Sequence, residues 1–126
     1  MRIAALPRGW ITAATMLAIV VFAKPASAGT CLSRADGFEL NSDTVHWTFT
    51  IRAGSDCLQG LRASTMLIDE VRILEPPAAG SLTISGPAFI YRAPPMASGD
   101  RFRIQVIGQN RRIRGTSTII AEILVR

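Results

Sequence analysis

Apolar and polar side chains alternate with a period of two along much of this chain. Val45, Trp47, Phe49 and Ile51 fall on one parity and His46, Thr48, Thr50 and Arg52 on the other, the pattern of a half-buried strand. Phe102, Ile104 and Val106 repeat it against Arg101, Arg103 and Gln105, and Ile119, Ala121, Ile123 and Val125 repeat it near the end. Ile120 and Leu124 in that last run predict burial on both faces. Turn-forming clusters punctuate the runs: Asn41-Ser42-Asp43, Gly54-Ser55-Asp56, Pro76 to Gly80, Gly86-Pro87, Pro94-Pro95, Ser98-Gly99-Asp100 and Gly108-Gln109-Asn110. Their spacing predicts an all-β chain of about seven strands, arranged as an antiparallel sandwich.

One segment fits two periods. In Ser64 to Leu74, Leu67, Val71 and Leu74 share a helical face with Ser64 as cap, whereas a strand places Met66 and Ile68 on one parity and Val71 and Ile73 on the other. The strand reading, which we adopt, requires a bulge near Asp69-Glu70.

The first 28 residues stand apart from this pattern. Arg2 and Arg8 precede an apolar run, Ile11 to Ala23, and Ala26-Ser27-Ala28 offers a small-x-small cleavage step, which together predict a signal peptide over residues 1–28. The run holds 13 residues, short of the roughly 20 needed to span a bilayer. Ala28-Gly29-Thr30-Cys31 is a poor lipid-attachment motif, since Thr30 stands where a small residue belongs and no Leu-like residue lies three before the cysteine. The expectation is a secreted or periplasmic protein with one domain over residues 29–126 and no membrane span after cleavage.

Removing that segment changes the meaning of the charge. Three of the 14 cationic residues, Arg2, Arg8 and Lys24, lie in it and none of the 9 acidic residues does, so the net charge falls from +5 to +2. That leaves no whole-domain basic footprint for nucleic acid. Cys31 and Cys57 both follow the segment and in an oxidising compartment predict a structural disulfide, pinning the mature N-terminus to the loop after the Trp47 strand.

Pro77-Ala78-Ala79-Gly80-Ser81-Leu82, then Tyr91-Arg92-Ala93-Pro94, then Gly99-Asp100-Arg101-Phe102-Arg103-Ile104-Gln105-Val106 resembles the bacterial Ig-like and cadherin-like domains. The likeness covers Pro76 to Arg126. It departs from the family pattern at Met96-Ala97-Ser98, where an aromatic residue usually precedes the glycine, and at Gly99-Asp100, which adjoin. The resemblance implies an Ig-like β-sandwich and is nearly silent on function. On elementary grounds the stretch reads as scaffold: prolines stop ladder bonding, and Asp100 accepts backbone N–H groups in the turn that launches the next strand. Phe102, Ile104 and Val106 then fill the core, with Trp47 and Phe49 opposite.

Candidate chemistry is sparse. His46, the one histidine, lies on a polar strand face with no nucleophile-elbow motif to serve, so a surface role is expected. Asp36, Asp43, Asp56, Asp69, Glu70 and Asp100 could donate oxygen to calcium but lack dense Asp-x-Asp spacing, and turn capping explains them more simply. No cofactor is expected. The sharpest surface feature is Arg111-Arg112-Ile113-Arg114 in a hairpin loop, with Arg101 and Arg103 on the outward face nearby. Guanidinium groups pair bidentately with carboxylate or phosphate, so these five arginines form a possible contact for a protein partner or an anionic envelope component; the competing reading is a solvated tip that discourages aggregation. The expected function is therefore a non-enzymatic binding or structural module. The alternative is a small inhibitor of a hydrolase, presenting Ala93 to Asp100 or Gly108 to Gly115 to a cleft.

Overall fold

The computed structural model describes residues 31–126, and the signal peptide expected over residues 1–28 lies outside them. The described residues form eight strands: β1 (Leu32–Ala35), β2 (Asp43–Ile51), β3 (Asp56–Gly60), β4 (Met66–Glu75), β5 (Ser81–Ser85), β6 (Ala88–Arg92), β7 (Ser98–Asn110) and β8 (Ile113–Val125). Five of them make one sheet in the order β1-β2-β8-β7-β4, and three make the other in the order β3-β6-β5. No helix among the described residues is long and apolar enough to cross a membrane.

The two-residue period decides what each sheet buries. Val45, Trp47, Phe49 and Ile51 of β2, Phe102, Ile104 and Val106 of β7, and Ile119, Ala121, Ile123 and Val125 of β8 all point inward. The three-stranded sheet answers with Cys57, Phe89 and Tyr91. Phe89 meets Phe102 edge-on at 5.2 Å between ring centres, and Tyr91 stacks on Phe102 at 6.0 Å. Such aromatic pairs add about 1 kcal/mol each beyond the area they bury. Trp47 and Phe49 do not face Phe102 across the core as expected; β2 and β7 belong to one sheet, separated by β8, and β6 supplies the opposing rings. Nor is the last strand buried on both faces, since Leu124 is 55% exposed on the outer side.

Neighbouring strands run antiparallel with one exception. β2 lies parallel to β8, Val45 beside Ile119 and Ile51 beside Val125, a pairing that needs the long crossover the intervening chain provides. Counted from β2, the first strand joins the last, and β8, β7 and β4 face β3, β6 and β5. This is the Ig-like layering with its first strand placed in the larger sheet.

The ambiguous segment 64–74 is strand, and the register of β4 on β7 slips between Ile68 and Glu70, where the alternation demanded a bulge, and again between Ile73 and Glu75. Leu67 and Leu74, which a helix would have buried together, are exposed. Cys31 and Cys57 form the disulfide. Its partner is not a loop, however: the tight turn at Gly54-Ser55 finishes early enough for Cys57 to sit within β3, opposite Tyr91. The bond therefore ties the start of the five-stranded sheet to the edge of the three-stranded one.

Candidate functional site

β7 and β8 pair residue for residue from Ser98 opposite Val125 to Asn110 opposite Ile113, leaving Arg111-Arg112 as a two-residue loop. Both arginines have positive φ, 52° and 73°. A two-residue hairpin loop with positive φ at both positions is the type I′ geometry, because its twist matches that of the strands, and it ordinarily takes Asn-Gly or Gly-Gly. A side chain with Cβ costs roughly 1 to 2 kcal/mol per residue in that region.

The root of this turn is held from both sides. Gly108 and Gly115 face each other across the hairpin, and a Cβ on either would collide with backbone, at the Leu67 carbonyl and the Leu40 carbonyl respectively. Their bare backbones let β4 and the segment 38–42 press against the ribbon. Arg111 N–H then donates to Thr65 O at 3.0 Å, and Asn110 Nδ2 donates to Glu39 O at 3.1 Å.

The segment 38–42 is itself pinned by Asp43. Its carboxylate accepts from Glu39 N at 2.9 Å, from Asn41 N at 3.3 Å and from Ser117 Oγ at 2.5 Å, while Ser117 Oγ accepts from Leu40 N at 2.8 Å. Desolvation alone would raise the Asp43 pKa; the hydrogen bonds from Ser117, Glu39 and Asn41 outweigh it, and the net shift is downward.

On this fixed base the guanidinium groups of Arg111 and Arg112 are exposed. Among the described residues neither forms an ion pair, whereas Arg114 bonds Asp69 at 2.7 Å and Arg103 approaches Glu75 at 3.4 Å. Ile113, 71% exposed, stands beside them. The tip therefore offers two free planar cations, each with a fork of donors matched to carboxylate or phosphate, next to an aliphatic contact.

Arg101 and Arg103 do not belong to this cluster. They lie toward the other end of β7, and Arg101 is about 30 Å from Arg111 along an extended strand. The sequence places the five arginines on one hairpin, but a strand of 13 residues carries them to opposite ends of the sandwich.

That opposite end is organised by Asp100. Its Oδ1 accepts from Ala78 N at 2.9 Å, Ala79 N at 3.2 Å and Arg101 N at 2.9 Å, and its Oδ2 accepts from Gly80 N at 2.8 Å and the Tyr91 hydroxyl at 2.6 Å. The expected turn-capping role is thus exercised mainly on the loop between β4 and β5, some 20 residues away, rather than on the turn before β7. Burial raises the Tyr91 pKa, reinforced by the hydrogen bond and charge of Asp100. Burial opposes ionisation of Asp100 as well, yet bonds from Tyr91, Gly80, Arg101 and Ala79 prevail and its pKa is lowered. The loop Ala93 to Asp100 is tied at this end too, with Ala93 N–H bonded to Ser55 O and Pro94 O accepting from Gly54 N.

The remaining candidates are dispersed. His46 is exposed on the outer face of β2 beside Ile120. Asp36, Asp56, Asp69 and Glu70 each bond an arginine, respectively Arg34, Arg92, Arg114 and Arg72. No group of three or more metal-ligating side chains comes together among the described residues.

No protein-family model matches the chain, and no curated protein does.

Two features of the arginine turn were not readable from spacing. The left-handed conformation of both arginines follows from strand pairing, and the Asp43–Ser117 clamp joins residues 74 positions apart. The available signal was the pair of glycines, Gly108 and Gly115, flanking Arg111 to Arg114.

Proposed function

We propose that this chain is an exported, Ig-like binding module of the bacterial cell envelope, secreted or periplasmic, which acts by surface contact and performs no chemistry. Its contact point is the Arg111-Arg112 turn, and its partner presents carboxylates or another anionic surface. The likeness of Pro76 to Arg126 to bacterial Ig-like and cadherin-like domains supports the module reading, and the disulfide is compatible with an oxidising compartment.

The observation that carries the proposal is the placement of two arginines at left-handed positions where glycine or asparagine would fit without strain. Strain of this kind is retained where the surroundings enforce it and function uses the exposed side chains. A solvated tip meant only to discourage aggregation could use arginine at strand positions, with no backbone cost.

The experiment replaces the turn by its unstrained counterpart, Arg111→Asn with Arg112→Gly. Wild type is expected to be retained on an immobilised polyanion at low salt and to crosslink to an envelope component, and the variant to lose both while staying folded. Equal retention and equal crosslinking of the two proteins would sink the reading. Inhibition of an envelope hydrolase by wild type alone would assign the same tip to an active-site cleft.

A further inference from the structure

β4 is the edge strand of the five-stranded sheet, and among the described residues no strand pairs with its far side. It is ten residues long, far longer than β1 at the other edge with four. An edge of that length presents a row of unpaired N–H and C=O groups, a template for another strand. It also carries exposed aliphatic residues. Ile73 lies on the inward parity opposite Ile104, yet it is 39% exposed, and Leu74 is 43% exposed.

The bulges limit where a partner strand can bind. Between the register shifts at Ile68/Glu70 and Ile73/Glu75 lies one regular stretch, Glu70 to Ile73. Glu70 and Arg72 share the outer face, opposite Ile107 and Gln105, and Val71 faces inward opposite Val106. In the single chain Arg72 Nε bonds Glu70 Oε2 at 2.8 Å along the strand, with both side chains about half exposed.

We infer that β4 is a homodimer interface, in which two copies join their edges antiparallel about Val71 and merge two five-stranded sheets into one. The charge pattern selects this register. Antiparallel partners must share a face, so a symmetric pairing is centred on a residue. Centring on Arg72 sets arginine against arginine, and centring on Glu70 sets glutamate against glutamate. Centring on Val71 places Glu70 of each copy opposite Arg72 of the other, two opposite-charge cross-strand pairs related by the twofold axis. On the inner face Val71 meets its own copy, with Ile73 diagonal to it, which covers exposed aliphatic surface. The twofold axis sends the two arginine turns to opposite ends of the joined sheet.

The test is the oligomeric state of the purified protein by sedimentation equilibrium over a concentration series, with far-UV circular dichroism as the check on folding. Wild type is expected to be a concentration-dependent dimer. Glu70→Arg and Arg72→Glu each turn two attractive pairs into two repulsive ones and are expected to weaken dimerisation about tenfold or more. The double exchange, Glu70→Arg with Arg72→Glu, recreates the pairs in reverse and restores the dimer. If a reversal disturbs folding, Glu70→Gln and Arg72→Gln remove the pairs without repulsion and are each expected to weaken the dimer. A monomer at every concentration would overturn the inference, as would a dimer indifferent to the single reversals or one that the double exchange fails to restore.

Discussion

The Tyr91 hydroxyl donates to Asp100 Oδ2 at 2.6 Å, and through this bond the central strand of one sheet is fastened to the start of β7 in the other. The same carboxylate holds the backbone N–H groups of Ala78, Ala79 and Gly80. One side chain therefore fixes the exit of β4, the entry to β5 and the contact between layers. Asparagine at position 100 would keep one acceptor and turn an amide against donors. Asp100→Asn is expected to cost about 2 to 4 kcal/mol in urea unfolding, and Tyr91→Phe, which leaves the backbone bonds intact, about 1 to 2 kcal/mol. A Tyr91→Phe cost larger than that of Asp100→Asn would refute this ordering.

The same pair sets the pH range of the fold. Asp100 and Asp43 have folded pKa values below the ordinary 3.8, so their contribution is present above the unfolded pKa and lost as pH falls through the folded values. Tyr91 is raised from 10.0, so its contribution is present below the unfolded pKa and lost as pH rises toward the folded one. Stability is expected to fall off below about pH 4 and above about pH 10. Thermal midpoints measured against pH check this, and Tyr91→Phe should flatten the alkaline limb and also shrink the acid limb in part, because the Tyr91 hydroxyl is one of the bonds that hold the Asp100 pKa down.

Relaxing the arginine turn should stabilise the fold. Arg111→Asn with Arg112→Gly keeps both N–H groups, including the bond from residue 111 to Thr65 O, removes the Cβ at positive φ from residue 112, and puts at 111 a side chain that tolerates the left-handed region. A gain of about 1 to 2 kcal/mol in denaturant unfolding is expected. A loss of stability would mean that the arginines earn their place within the fold itself.

The glycine opposite Leu40 should tolerate no side chain. Gly115→Ala drives a Cβ into the Leu40 carbonyl, a backbone atom fixed by the Asp43–Ser117 clamp. The expected loss is about 2 kcal/mol or more. Gly37→Ala, with open space around it, serves as the control and should change unfolding little.

The disulfide closes a separation of 26 residues and joins the two sheets. Cys31→Ala with Cys57→Ala should cost about 3 to 4 kcal/mol by the chain-entropy estimate, measured as the difference in unfolding free energy between the oxidised protein and the variant.

Much of the architecture is local and was visible in the chain. The alternation in β2, β7 and β8 requires that one parity be buried, because a pleated strand turns successive side chains to opposite faces. Two cysteines form one pair, and the broken parity around Asp69 forces a bulge. Which strands lie side by side is another matter. Nothing in residues 43–51 says that β2 runs parallel to β8 or that Phe89 and Tyr91, not Trp47, cross the core to Phe102, since pairing is settled by how all the buried faces fit at once. The meeting of Asp100 with a loop 20 residues away, the clamp between Asp43 and Ser117, the division of the arginines and the left-handed turn all depend on that long-range fit. Periodicity assigns each side chain a face, and only packing assigns it a neighbour.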